Sequence, residues 1–64
     1  MFGTVKRKTD KGFGFITPEQ GGKDIFFHTK QCETPFNDLR EGDRVEFETE
    51  ETDKGLAAIG VILA

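Results

Sequence analysis

The stretch KGFGFITPEQGGKDIFFHT, residues 11–29, has the pattern of two short strands joined by a glycine-bearing loop. Apolar and aromatic residues at 13–17 and 25–29 predict the strands, and Pro18 closes the first of them. The Gly21-Gly22 pair suits the positive φ angles of a loop. Side chains two apart in a strand share a face, so Phe13 and Phe15 lie side by side on one surface, which is either core or solvent-facing.

The rest of the chain is divided in the same way. Strands are predicted over residues 4–8, 13–17, 25–29, 44–50 and 56–63. Turn residues separate them at 9–12 and 51–55, a longer connection spans 30–43, and no helical period is evident. Closing so small a sheet into a barrel removes most of its exposed edges. We therefore expect one all-β domain over residues 1–64, a five-stranded antiparallel barrel of the OB type.

The composition allows only a thin core. The 64 residues are 34% hydrophobic and 33% charged and include seven Phe. A domain near this size buries only about 60% of the surface of its unfolded chain. An exposed Phe uses scarce core material, so an exposed cluster of Phe is expected to be functional.

The chain carries no signal of secretion or of a membrane. A single cysteine, Cys32, allows no internal disulfide and fits a reducing compartment. The start, MFGTVKRKT, lacks the apolar region of a signal peptide, and no run approaches the roughly 20 apolar residues of a membrane span. A cytoplasmic protein without a membrane partner is expected.

Charge is distributed unevenly along the chain. Residues 1–30 contain six Lys/Arg and three acids, a balance of +3, whereas residues 31–64 contain three Lys/Arg and nine acids, a balance of −6; the two sum to the net charge of −3. The net charge argues against a polyanionic partner, but the basic first half permits a local binding patch. The acids of residues 41–53 are interpreted as a solvated face that maintains solubility.

The polar His28 assigns the faces of the third strand. A histidine belongs outside more often than inside, which also places Phe26 outside and turns Ile25 and Phe27 inward. For the fourth and fifth strands the predicted apolar set is Val45, Phe47, Ile59, Val61 and Leu63.

The second strand follows the same logic. Ile16 suits the core and Gly14 permits close strand approach, which turns Phe13 and Phe15 outward. The predicted outer patch consists of Phe13, Phe15, Phe26 and His28, with Lys6 and Lys11 beside it. Aromatic rings flanked by cations on a sheet face are typical of single-stranded nucleic acid binding, in which each stacked base contributes about 1–3 kcal/mol. On periodicity alone, the alternative that these Phe are core residues stands about even.

Two motifs resemble a known family. KGFGFI (11–16) resembles the first ribonucleoprotein motif of the cold shock domain family, and DIFFH (24–28) is similar to its second. The likeness continues in order with GTVK (3–6), PFNDLREGDRVEFE (35–48) and KGLAA (54–58), so that it covers nearly the whole chain. It implies an OB-type barrel that binds single-stranded RNA and DNA, as an RNA chaperone or transcription antiterminator.

The resemblance also implies residue roles. Base stacking would fall to Phe13, Phe15, Phe26, His28 and Phe36. Lys6 and Lys11 would serve the backbone or base edges. Phe36 has an alternative role as a loop anchor packed on the barrel rim.

The first strand departs from the family pattern. Where the family typically has KWFN, this chain has KRKT (6–9), and the segment before Lys11 is one residue shorter. Arg7 replaces a Trp, Lys8 replaces a second aromatic residue, and Thr29 stands where another Phe is usual. Arg7 can stack through its guanidinium plane and pair with phosphate. Compared with a typical member of the family, we expect the lost stacks to weaken nucleic acid binding by a few kcal/mol, of which charge from Arg7 and Lys8 recovers a part. We also expect a steeper dependence of binding on salt concentration than in a typical member.

Two other classes of function compete with this one. For an enzyme, no pair of carboxylates or base beside a nucleophile is evident, and His28 with Cys32 offers fewer ligands than a structural zinc site requires. No catalytic residue, metal or cofactor is therefore expected. A protein-interaction or dimerising OB module could use the acidic second half or the Phe patch, and a monomer is the default expectation.

Overall fold

The structure, a computed structural model, describes residues 1–53 and 55–64 and is a closed barrel. Within these residues the strands are β1 (Phe2–Lys8), β2 (Phe13–Pro18), β3 (Ile25–His28), β4 (Arg44–Thr52) and β5 (Gly55–Leu63). The connection from β3 to β4 contains single 3-10 turns at Thr29–Gln31 and Phe36–Asp38. The all-β prediction is confirmed, while the predicted turn over residues 51–55 includes Lys54, which lies outside the described residues.

The strands follow one another around the barrel in the order β1-β2-β3-β5-β4. Neighbours are antiparallel at β1–β2, β2–β3, β1–β4 and β4–β5, whereas β3 and β5 run parallel and pair Phe26 with Ala57. The expectation of antiparallel pairing is therefore wrong at this one interface. The reason is geometric, since strand directions cannot alternate all the way around a ring with an odd number of members.

The inner faces of all these strands meet in one core. Its buried residues are Val5, Ile16, Ile25, Phe27, Leu39, Val45, Phe47, Ala58 and Val61. The predicted inward placement of Ile16, Ile25 and Phe27 is confirmed. Leu39 comes from the long connection, so this segment covers one end of the barrel and completes the core.

A β-bulge on β5 changes which of its residues face the core from those that the sequence predicted. Glu46 pairs with Ile62 and Glu48 pairs with Ile59, so Gly60 and Val61 together oppose a single residue of β4. Gly60 has a φ of 60°, the left-handed conformation that a glycine adopts at low cost in a bulge. The extra residue shifts the alternation and turns Ile59 to the outer face.

Burial along β5 differs from the sequence prediction at two places. Ala58 replaces Ile59 as the buried residue before the bulge. Leu63 pairs with the buried Val45, but it lies at the end of β5 and remains 48% exposed. The predicted core positions Ile59 and Leu63 are therefore wrong.

Gly14 allows β1, β2 and the Phe27 ring to come into contact. A Cβ atom built on Gly14 would overlap the carbonyl oxygen of Arg7 and would lie 2.8 Å from Cε1 of Phe27. Real Cβ atoms do not approach other atoms so closely, hence the buried Phe27 ring occupies the space that a side chain would need. The predicted role of Gly14 in close strand approach is confirmed.

We expect Gly14→Ala to destabilise the fold by about 1–3 kcal/mol or more, because the added methyl group overpacks the core against backbone. Equilibrium urea unfolding measures this change. Thr4→Ala, at an exposed position of β1, is the control and should stay within about 0.5 kcal/mol of wild type. Equal midpoints for the two variants would contradict the packing described for Phe27.

Candidate nucleic-acid interface

Pairing between β2 and β3 brings the predicted aromatic residues together. Phe13 lies opposite His28 and Phe15 lies opposite Phe26, and opposite residues of two paired strands share a face. The intervening residues of both strands are buried, which directs these four side chains outward. We call Phe13, Phe15, Phe26 and His28 the aromatic platform; the prediction that it faces outward is confirmed.

The three rings of the platform contact one another. Their centroids are 6.3 Å apart for Phe13–Phe15, 5.5 Å for Phe13–Phe26 and 6.0 Å for Phe15–Phe26. The Phe13–Phe15 and Phe15–Phe26 pairs meet edge to face, which is a favourable aromatic geometry. Phe26 remains 37% exposed, so the platform is a contiguous apolar surface outside the core.

His28 is oriented by the turn that follows β3. Its Nδ1 atom accepts a hydrogen bond from the backbone N–H of Lys30 at 3.1 Å, which caps the 3-10 turn Thr29–Gln31. The neutral imidazole that accepts at Nδ1 carries its proton on Nε2. His28 therefore presents a ring face and one N–H donor at the edge of the platform.

A second bulge places Arg7 beside the platform. Val5 pairs with Ile16 and Arg7 pairs with Phe15, so Lys6 is an extra residue on β1. Arg7 consequently shares the face of Phe15. Its guanidinium makes no hydrogen bond or ion pair with the side chains of residues 1–53 or 55–64.

Lys6 is paired within the protein. Its Nζ atom lies 2.8 Å from Oδ2 of Asp24, whose other carboxylate oxygen accepts a hydrogen bond from Thr17 Oγ1 at 3.0 Å. The hydrogen bond from Lys6, then that from Thr17, holds the pKa of Asp24 below its usual value. The ammonium is exposed, so Lys6 borders the platform but shares its charge with Asp24.

Lys8 and Phe36 meet at the end of the barrel. The Phe36 ring packs 5.7 Å from the Phe27 ring, in the anchoring role that was one of its two alternatives. Lys8 Nζ lies 4.6 Å from the centroid of the Phe36 ring and donates hydrogen bonds to the carbonyl oxygens of Phe36 and Leu39. Two donors of Lys8 are directed to the protein's own carbonyls, while the expectation that its charge aids binding stays a prediction. Part of the Phe36 ring stays exposed.

The remaining predicted cation, Lys11, lies in the turn between β1 and β2. Its backbone N–H donates to Thr9 Oγ1 at 3.3 Å, which stabilises the turn, and its side chain is exposed. Thr29 begins the 3-10 turn after His28, also exposed, where a Phe would have extended the platform.

Sequence reasoning missed the contribution of β5. The parallel pairing sets Ala57 beside Phe26, and the neighbouring Leu56 is 53% exposed. Phe15, Phe26, Leu56 and Ala57 line one groove together with Thr52 and Asp53. The stretch KGLAA was part of the family likeness, but only the β3–β5 pairing shows that its Leu56 and Ala57 continue the aromatic platform.

The acidic end of β4 lies next to the part of β5 that continues the platform, since Glu50 pairs with Ala57 and Glu51 pairs with Leu56. In the barrel β4 neighbours β1 and β5 but neither β2 nor β3. Its exposed acids include Glu46, Glu48 and Glu50. Arg44, at the start of β4, is held by Glu19 through contacts of 2.8 and 3.1 Å, and this hydrogen bonding lowers the pKa of Glu19. The acids of β4 are therefore not paired with β2 or β3, but Glu50 and Glu51 border the platform through β5.

The part of the chain that the structure describes contains no cluster of side chains suited to binding a metal, and its one cysteine is not activated. No group of three or more His, Cys, Asp or Glu side chains there is placed to hold a metal ion, and no helix there is long and apolar enough to cross a membrane. The Cys32 sulfur lies 3.5 Å from the carbonyl oxygen of His28, and burial raises the pKa of its thiol. This disfavours the reactive thiolate.

Comparison with known proteins agrees with this geometry. The family model of the 'Cold-shock' DNA-binding domain matches residues 1–64. The chain is 48% identical over 61 residues to the major cold shock protein of Micrococcus luteus, covering 92% of this chain and 91% of that protein. It is 55% identical over 53 residues to the cold shock-like protein CspE of Escherichia coli, covering 81% and 77% respectively.

A solved structure shows the same fold. The barrel superposes on drosophila Unr CSD456 with a TM-score of 0.83 at 25% sequence identity, covering 98% of this chain and 26% of that one. The chain thus belongs to the cold-shock DNA-binding domain family.

We expect Lys6→Met to raise the pKa of Asp24 toward its usual value, because the variant removes the hydrogen bond that lowers it most. Since the folded pKa is depressed, Asp24 contributes stability above its unfolded pKa and loses it as the pH falls through the folded pKa. NMR titration of the side-chain carboxyl carbon measures the shift. Lys11→Met, which leaves the pair intact, should not move it; an unchanged Asp24 titration in Lys6→Met would show that the pair does not form in solution.

Proposed function

We propose that this protein binds single-stranded RNA and DNA on the aromatic platform, as an RNA chaperone or transcription antiterminator of the cold shock type. The observation that carries the proposal is a set of three mutually contacting Phe rings on the outer face of β2 and β3, beside unbalanced basic groups, in a domain whose core is thin. Membership of the cold-shock DNA-binding domain family supports it, as does similarity to relatives such as the cold shock protein CapA of Pseudomonas fragi, 52% identical over 58 residues.

The proposed contacts divide between stacking and charge. The proposed binding residues are Lys6, Arg7, Lys11, Phe13, Phe15, Phe26, His28 and Phe36. Unpaired bases stack on the rings with little preference for base identity, since every base has a flat π face. The Nε2 proton of His28 offers a hydrogen bond, while Arg7 and the two lysines follow the phosphates.

The chaperone activity follows from mass action. Rings on the outer face of a sheet accept bases only when these are unpaired and unstacked from their partners. A protein that binds the single-stranded form alone shifts the equilibrium of a hairpin toward opening, in proportion to its concentration over its Kd. No nucleotide chemistry is needed for this activity, and we propose that the protein acts without catalysis, as a monomer in the cytoplasm.

We expect Phe15→Ala and Phe26→Ala each to weaken binding of oligothymidine and oligouridine by about 1–3 kcal/mol, or roughly five- to 150-fold, through the loss of one stacked base. Fluorescence titration measures the loss. Phe2→Ala is the matched control, because Phe2 on β1 is 37% exposed, as Phe26 is. Its ring lies outside the platform, with Cζ of Arg44 4.3 Å from the ring centroid. It should bind as wild type does.

Other outcomes of this experiment identify competing functions. Equal affinity in all three variants would remove the platform as the binding site. A wild-type protein that fails to bind oligonucleotides but forms dimers lost in Phe26→Ala would favour the dimerising module instead. Circular dichroism of each variant checks that the barrel remains folded.

We expect Arg7→Gln to reduce the dependence of log K on log salt concentration by about 0.7, the contribution of one phosphate contact on a single strand. The reason is that Arg7 stands beside Phe15 with its guanidinium unengaged by the described side chains. Titrations at three or more salt concentrations give the slope. Arg40→Gln, in the connection before β4, is the charge-matched control, and an equal change of slope there would indicate a general charge effect.

A further inference from the structure

Lys8 connects the first strand to the turn that carries Phe36. Its Nζ atom donates to the carbonyl oxygen of Phe36 at 2.8 Å and to that of Leu39, and lies over the Phe36 ring at 4.6 Å from the centroid. These carbonyls belong to the first residue and the C-cap of the 3-10 turn Phe36–Asp38. One ammonium therefore holds both ends of the turn and the ring.

The bulge at Lys6 is what directs Lys8 there. After the extra residue, Lys8 pairs with Gly14 and shares its inner face. Gly14 has no side chain, and Lys8 is only partly exposed at this end of the barrel, where it lines the groove beside Phe36. Its backbone N–H also donates to Oε2 of Glu41 at 3.2 Å, a second connection to the segment after the turn.

The Phe36 ring is thus supported from the barrel. The centroid of the buried Phe27 ring lies 5.7 Å from that of the Phe36 ring, and the Lys8 side chain contacts the Phe36 ring from β1. The part of the ring left exposed borders an open groove, whose other lining residues include Thr9, Gly12, Thr29 and Asn37. Thr29 directly follows His28, so this groove adjoins one end of the aromatic platform.

We propose that Lys8 is a positioning residue of the single-strand site: it holds Phe36 in place to stack a base at the end of the platform and does not itself bind phosphate. This inference rests on the proposed function. A side chain that is already ordered avoids the entropy cost of immobilisation on binding, about 0.5–1.5 kcal/mol for a flexible side chain at an interface. The ammonium has three donors, and two of them already meet carbonyl oxygens.

The test combines Lys8→Met, Phe36→Ala and the double variant in oligothymidine titrations. Met keeps an apolar stem of similar length but has no donor. We expect Lys8→Met to bind about three- to tenfold more weakly, from the ordering cost, with an unchanged salt slope. In the Phe36→Ala background, which lacks the ring that Lys8 positions, Lys8→Met should cause no further loss of affinity. Arg7→Gln in parallel shows the slope change of about 0.7 that a phosphate contact produces.

Each other result contradicts a specific part of the inference. A salt slope that falls in Lys8→Met as it does in Arg7→Gln would assign Lys8 to phosphate binding. An undiminished loss in the Phe36→Ala background would mean that Lys8 acts on the whole fold, and wild-type affinity in Lys8→Met would remove any role in binding.

The contact itself can be measured without nucleic acid. Ring currents from Phe36 should shift the Lys8 ε-methylene proton resonances upfield, and Phe36→Ala should return them to ordinary values. Absence of this shift would overturn the inference whatever the affinities are. A wild-type protein that shows the shift but does not bind oligonucleotides would overturn the proposed function, and with it the binding role of Lys8; wild-type binding that Lys8→Met leaves unchanged would overturn the inference alone.

Discussion

The contact between the Phe27 ring and the backbone of Gly14 determines the arrangement of the rest of the structure. In the observed register Gly14 pairs with Phe27, and only a residue without a side chain fits under the buried ring. A slip by one residue would exchange the two faces of a strand. The register that buries Phe27 therefore also places Phe13, Phe15 and Phe26 on the outside, and the core and the aromatic platform are two consequences of one packing constraint.

Two bulges adapt this simple alternation to the barrel. The bulge at Gly60 and Val61 lets β5 bend and close the ring, and it exchanges Ile59 for Ala58 in the core. The bulge at Lys6 sets Arg7 beside the platform and turns Lys8 toward the long connection. A chain with strict alternation on β1 would place these two cations on other faces. The one extra residue in the strand therefore determines where the side chains of the KRKT segment lie.

The charges of the first strand are therefore not equivalent. Lys6 is paired with Asp24, Lys8 is directed to carbonyl oxygens of the Phe36 turn, and Arg7 makes no such contact with the described side chains. Of these three cations, Arg7 is the one whose side chain is left without such a contact among the described side chains, which supports its proposed role toward phosphate. The acids of β4 do not pair with β2 or β3, but Glu50 and Glu51 border the platform through Ala57 and Leu56, so the net charge of −3 is not confined to surfaces remote from the proposed site.

The sequence by itself determined the all-β class, the approximate strands, the outward pair Phe13 and Phe15 and the inward Ile16, Ile25 and Phe27. These follow from glycine and proline punctuation and from alternation within a strand, which are local properties. Alternation alone still left core and surface undecided, and His28 with the paired motifs resolved the faces. Only the tertiary structure decided that β3 and β5 run parallel, that Ile59 leaves the core and Leu56 extends the platform, and that Lys8 holds Phe36. All of these depend on bulges and on contacts between segments distant in the chain, where closure of the ring and packing at its end outweigh the local pattern.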